Sequence, residues 1–308
     1  VENEQITLLI EKQKRAGYHA ITDGEFRRSY WHLDFMWGFA GIDEIELDHG
    51  YYFQGEETTH GSIRVSGKIS GENHPFVEHY KFVKQFEDEN CIARQTMPAP
   101  AQLLAELYRE DNGKNTDAVY PDHEQLLQDI AAAYRTVIRD LYNAGCRSIQ
   151  FDDCTWGMFC DPNYQAFIAQ AGVKLEDQAN EYLRLNNLAL EGRPADLALT
   201  THVCRGNYHS TFFTSGPYDS VADYAKITVI ATGLSDTAAK TTPFGTRSNT
   251  TPFGVRKPAA GTSAPSSSTM SMPSFSLPTM NNGSYTGKVP TSTVQKKDIQ
   301  IPDFLRNR

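Results

Sequence analysis

The residues with the clearest chemical potential are His202 and Cys204, two positions apart in the run Leu-Thr-Thr-His-Val-Cys-Arg-Gly-Asn from Leu199 to Asn207. The apolar and Thr-rich residues Leu197 to Val203 predict a buried strand, and Gly206-Asn207 the turn that ends it. Residues i and i+2 of a strand share a face, so imidazole and thiol are expected to point the same way. Such a pair would supply half of a zinc site, since zinc takes three or four protein ligands and two do not make a site. A strand cysteine buried beside a hydrogen-bonded histidine is the plainer alternative. Two acidic pairs complete the candidate set: Asp23 and Glu25, and Asp152 and Asp153. Brought to one rim with His202 and Cys204 they would form a polar cluster, whereas a solvated surface position is the plainer reading of any single acid.

Three repeats of one pattern are expected to position these residues. Ile6 to Lys14 has helical spacing of apolar residues, Ala16-Gly17 stops it, and Tyr18 to Thr22 reads as a short strand ending in Asp23-Gly24-Glu25. Leu126, Leu127, Ile130, Tyr134, Val137, Ile138 and Leu141 fall on one helical face, Ala144-Gly145 follows, and Ser148 to Phe151 leads to Asp152-Asp153. A third helix, Glu176 to Leu190, leads into the strand that carries His202. Helix, glycine, strand and then polar residues is the grammar of an α/β barrel or a doubly wound sheet, whose chemistry collects at the C-terminal ends of the strands. Between the units, Tyr51 to Ile69 predicts a hairpin or small sheet. Cys91 to Thr96 predicts another strand, and Ala101 to Tyr108 a helix that starts at Pro100, where the missing amide donor is harmless.

Composition divides the chain. The 308 residues carry a net charge of -9, but residues from Ala225 onward hold ten Lys and Arg against three acids, a net +7, which leaves -16 for residues 1–224. From Thr241 to Val294, 33 of 54 residues are Ser, Thr, Pro or Gly, too few large apolar groups to offset ordering entropy, so this stretch is expected to be disordered. Residues 298–308 regain apolar side chains between charges, the pattern of a short peptide that orders on a partner. The five cysteines are an odd number scattered through a long chain, which argues for reduced thiols. Cys154 and Cys160, spaced i, i+6, match no common zinc pair and read as core or loop thiols. No apolar run approaches a membrane span and the first residues lack the regions of a signal peptide, so a cytoplasmic location is expected. The thinly spread basic residues of the tail do not suit nucleic acid.

Residues 1–224 resemble the catalytic barrel of cobalamin-independent methionine synthases, most closely the short single-barrel bacterial relatives. The stretches that carry the resemblance are Thr22-Asp23-Gly24-Glu25-Phe26-Arg27-Arg28 with Tyr30-Trp31-His32-Leu33-Asp34-Phe35, then Ile149-Gln150-Phe151-Asp152-Asp153, then Thr201-His202-Val203-Cys204-Arg205-Gly206-Asn207. The resemblance implies a (β/α)8 TIM barrel and zinc-dependent methyl transfer from a methyltetrahydrofolate-type donor to homocysteine, giving methionine. It places the zinc ligands, and with them the catalytic role, on His202 and Cys204. It places the homocysteine amine on Glu25 and Asp152, with Asp153 beside them as a substrate-binding candidate. The family's first strand is expected upstream of Val1. Its remaining ligands, a Glu and a second Cys, are expected after Tyr224, where the sequence has neither. The expectation is therefore a partial barrel of about four strands, truncated at both ends and impaired in activity. The segment 225–240 resembles the last strand of FtsZ, the bacterial cell-division tubulin homologue, 241–297 its linker and 298–308 its partner-binding peptide. That implies an alternative role as a non-catalytic fusion or interaction protein that meets a division-protein partner through 298–308.

Overall fold

The computed structural model describes residues 1–53, 55–209 and 211–221; the segments read as an FtsZ-like strand, linker and peptide lie outside them. The described part is α/β. Ala20–Ile21 pairs in parallel with Ile92–Ala93, and immediately beyond, Gln95–Pro98 pairs in parallel with Ser148–Asp153, which pairs in parallel with Ala198–Val203. Residues 92–98 thus join both pairings into one arc of parallel segments. Arg94 extends the ladder between its two halves by donating its amide to the Ile21 carbonyl at 2.9 Å. Parallel neighbours need long crossovers, and helices supply them.

The helix before Ser148 shows how the sequence builds this. It runs His123–Asn143, begins where the Asp122 carboxylate accepts the Glu124 amide at 3.0 Å, and ends before Gly145, whose φ of 98° suits glycine. The seven apolar residues on its expected face are all buried. Each contributes roughly 2 kcal/mol of burial. Tyr134 in that row also donates its hydroxyl to the carbonyls of Pro98 and Ala99 at 3.1 and 3.2 Å, tying the helix to the end of the neighbouring strand. Truncating Tyr134 to alanine would remove both this tie and a core ring, at roughly 3–5 kcal/mol.

The other helices that frame the strands are Glu2–Arg15, Pro100–Leu107 with its proline in the first turn, and Leu175–Leu188. The region read as a hairpin or small sheet becomes two antiparallel pairs. Gly61–Ser70 pairs with Ala40–Glu46, and Tyr52–Phe53 with Glu56–Glu57. One expectation is corrected: the strand that carries His202 is not buried, for Thr200, Thr201 and His202 are exposed. It pairs on one side with Ser148–Asp153, and its other side has no partner strand among the described residues. No helix among them is long and apolar enough to cross a membrane.

Candidate functional site

The C-terminal ends of the arc open on a cleft of about 710 Å³. One wall is polar, formed by Glu25, Gln150, Asp152, Cys154, His202 and Cys204; the other is aromatic, with Tyr30, Trp31, Tyr51, Phe53 and Phe213. The polar wall follows from strand register. Asp152 lies opposite His202 and Asp153 opposite Val203. Alternation then turns residues 152 and 154 to one face and 153 to the other.

Asp153 is accordingly elsewhere. It is fully buried, accepts the Thr155 amide at 3.0 Å and the Asn186 side-chain amide at 3.1 Å, and does not line the cleft. Its place is behind the strand, where it fixes the start of the short helix Thr155–Phe159. Asp23 is also buried and serves the turn, accepting the Glu25 amide at 2.9 Å.

Glu25 reaches the cleft from a turn in which Gly24 and Glu25 have φ of 64° and 62°. Its carboxylate accepts the Thr96 hydroxyl at 2.9 Å and pairs with Arg28 at 3.0 Å. Arg28 is itself locked: it donates to the Trp31 carbonyl at 3.1 Å and to the Thr96 carbonyl and hydroxyl at 2.7 and 2.8 Å. Its guanidinium also stacks over Phe76 at 4.6 Å. Burial pushes the Glu25 carboxyl up, and Arg28 and the Thr96 hydrogen bond pull it back. Arg28 and Thr96, which no sequence spacing marked, are the residues that aim this carboxylate.

Asp152 accepts from the Gln150 side-chain amide at 2.8 Å and from His202 Nδ1 at 2.9 Å. That bond and the neighbouring Cys204 raise His202 to about 10, so the imidazole is held as a cation. Cys204 is lowered to about 4 by hydrogen bonds from the Cys154 thiol and from His202, with the Gly206 amide at 3.3 Å helping. Cys154, read from sequence as a core or loop thiol, is half-buried in the cleft beside Cys204, and burial with that contact pushes its own thiol up. The signal that could have found it is the alternation that places 154 on the face of 152.

Over the cleft, the hairpin of Tyr52–Phe53 and Glu56–Glu57 meets the loop after Cys204. Phe213 packs against Tyr51 and Phe53 at 5.7 and 5.4 Å, and His209 pairs with Glu56 at 2.6 Å. Tyr51 is anchored beneath by its hydroxyl bond to Glu106 and by Arg109, 3.9 Å over its ring.

Imidazole and thiol are donors of the kind zinc takes. Among the described residues, however, no group of three or more His, Cys, Asp and Glu is arranged to hold a metal ion. His202 and Cys204 stand together, but the described residues do not make a zinc site by themselves.

Comparison with known proteins bears on the sequence and the fold. No protein-family model matches the chain. The uncharacterized proteins YxjH and YxjG of Bacillus subtilis (strain 168) are 37% and 34% identical to it over 224 residues, which are 72% of this chain and 57% of each relative. The chain therefore spans little more than half the length of the curated relatives it matches. A crystal structure from Listeria monocytogenes, described as a candidate vitamin-B12-independent methionine synthase, superposes with a TM-score of 0.52 at 34% identity, covering 67% of this chain and 55% of that one. In sequence and in fold, the described part of the chain is similar to a vitamin-B12-independent methionine synthase-like structure.

Proposed function

We propose that this chain carries the acceptor side of a methyl transfer to homocysteine, within a partial (β/α)8 barrel comprising about residues 1–224. One observation carries the reading: two carboxylates, Glu25 and Asp152, line one polar wall of a single cleft together with His202 and Cys204, Asp152 in direct contact with His202 at 2.9 Å. The substrate's ammonium group suits the carboxylates, which fixed neighbours already aim. Its thiol chain then extends toward His202 and Cys204, and the aromatic wall offers a face for a flat methyl donor of the methyltetrahydrofolate type. In the transfer a carbon–sulfur bond forms on homocysteine and the methyl–nitrogen bond of the donor breaks; the donor nitrogen keeps the electron pair and takes up a proton, which balances the one the thiol gives up. This chain's residues bind and orient: Asp152 accepts from His202 Nδ1 at 2.9 Å and holds the imidazole beside Cys204. Zinc belongs to this reading only with ligands beyond the described residues.

Calorimetric titration of the reduced chain with homocysteine tests the proposal. Binding is expected, and Glu25→Gln and Asp152→Asn should each weaken it by about tenfold or more, since a hydrogen bond to a charged group is worth about 1.5–3 kcal/mol. Absence of binding at millimolar homocysteine, or affinity indifferent to both substitutions, would sink it.

A further inference from the structure

The register that sets Asp152 opposite His202 also sets Cys154 opposite Cys204. Pairing runs past the last strand residues: the Cys204 amide donates to the Asp153 carbonyl at 3.3 Å. Adjacent strands lie about 4.8 Å apart, within the roughly 4.4–6.8 Å between Cα atoms that a disulfide spans. Both thiols line the cleft and lie within hydrogen-bonding reach of each other. Their backbones are held. The Cys154 amide donates to the Gln102 side chain at 3.3 Å, and Gly157 sits so close to the Cys204 carbonyl that a Cβ there would lie 2.1 Å from its oxygen. The other three cysteines are buried, with their sulfurs on the carbonyls of Phe86, Ser148 and Trp156.

We propose that Cys154 and Cys204 form an oxidisable dithiol, a modification site at which hydrogen peroxide closes a cross-strand disulfide. Cys204 reacts as the thiolate: the Cys154 S–H bond and the peroxide O–O bond break, one S–S bond forms, and two O–H bonds form with the Cys154 proton and one proton from solvent. Both sulfurs are oxidised and the peroxide is reduced to two waters. The pair exists where a metal set was expected. Its closure removes the Cys204 thiol from the cleft; that consequence rests on the methyl-transfer reading, whereas the disulfide does not.

Limited peroxide treatment of the reduced full chain is expected to lower the thiols titrated under denaturing conditions from five to three, and dithiothreitol to restore five. A non-reducing digest should contain the Cys154 and Cys204 peptides joined, two hydrogens lighter than their sum. Cys154→Ser should abolish the joined species. Because that variant could misfold, unmodified chain is also treated with phenylarsine oxide, whose trivalent arsenic bridges two neighbouring thiols. One arsenic per chain should protect both cysteines from iodoacetamide. Oxidation of Cys204 to sulfinic acid without a joined peptide, a link between other cysteines, or no arsenical protection would each overturn the proposal. Homocysteine titration of the reduced chain separates the two ideas. A joined peptide without homocysteine binding upholds the dithiol and removes the methyl-transfer reading; binding without a joined peptide does the reverse.

Discussion

Cys204 offers a prediction in which the shape of a curve, not its height, is diagnostic. The thiol is lowered from 9.0 to about 4 in the metal-free chain. An ordinary thiol at 9.0 is about 1% thiolate at pH 7, so full ionisation raises the reactive fraction by about 10². Nucleophilicity falls with basicity, with a Brønsted slope of about 0.4–0.5, and across five pH units that costs about 10² to 10^2.5. The two effects nearly cancel, so alkylation at pH 7 should proceed within severalfold of an ordinary cysteine. The pH profile differs instead. Thiolate is present at every pH above about 4, so the rate should be flat from pH 6 to 8, where an ordinary thiol gains about tenfold per unit. Timed iodoacetamide labelling with peptide-resolved mass spectrometry isolates Cys204. Asp152→Asn weakens the hold on the His202 cation and should move the inflection toward neutrality. A tenfold rise per pH unit between 6 and 8 in the unsubstituted chain would refute the reasoning.

Three further outcomes are expected. Burial lowers both His32 and His74 to about 4 from 6.5, so the unfolded chain takes up the proton first. Their stabilisation is whole above pH 6.5 and is lost as pH falls through 4, about 2 kcal/mol each at pH 5; urea midpoints at pH 7.5 and 5 measure it, and equal midpoints count against it. Glu106 is buried with Arg109 at 3.2 Å, so Glu106→Leu leaves the buried guanidinium to its longer pair with Glu110 at 3.6 Å and should cost up to roughly 3–5 kcal/mol by the same measurement. Gly157→Ala drives a Cβ toward the Cys204 carbonyl and should cost roughly 1–3 kcal/mol, read as a lower urea midpoint; an unchanged midpoint would mean the strand yields freely.

The polar lining of the cleft was legible where it depended on local spacing. His202 and Cys204 share a face because strands alternate, and Asp152 and Glu25 were expected at the rim because each follows a helix-glycine-strand unit; all four line the cleft. The same alternation argues against Asp153, since consecutive strand residues cannot face one cleft. Cys154 escaped because it was weighed against Cys160 along the chain, whereas its partner is Cys204 across a pairing that only register reveals. Exposure of Thr200 to His202 was hidden for a related reason: an apolar, β-branched run has the same composition whether or not another strand covers its second edge. Arg28 is only three residues from Glu25, but the Thr96 that it contacts and the aromatic hairpin over the cleft come from distant parts of the chain, and no period connects them.

The left-handed backbone at Glu25 has a bearing on how this position should vary among relatives. A φ of 62° costs a non-glycine residue about 1 kcal/mol or more, and glycine or asparagine would hold the turn more comfortably. Selection for folding alone would drift toward those residues. A lineage that keeps glutamate there is retaining a carboxylate against its own backbone, and an alignment at position 25 would record what the cleft must bind.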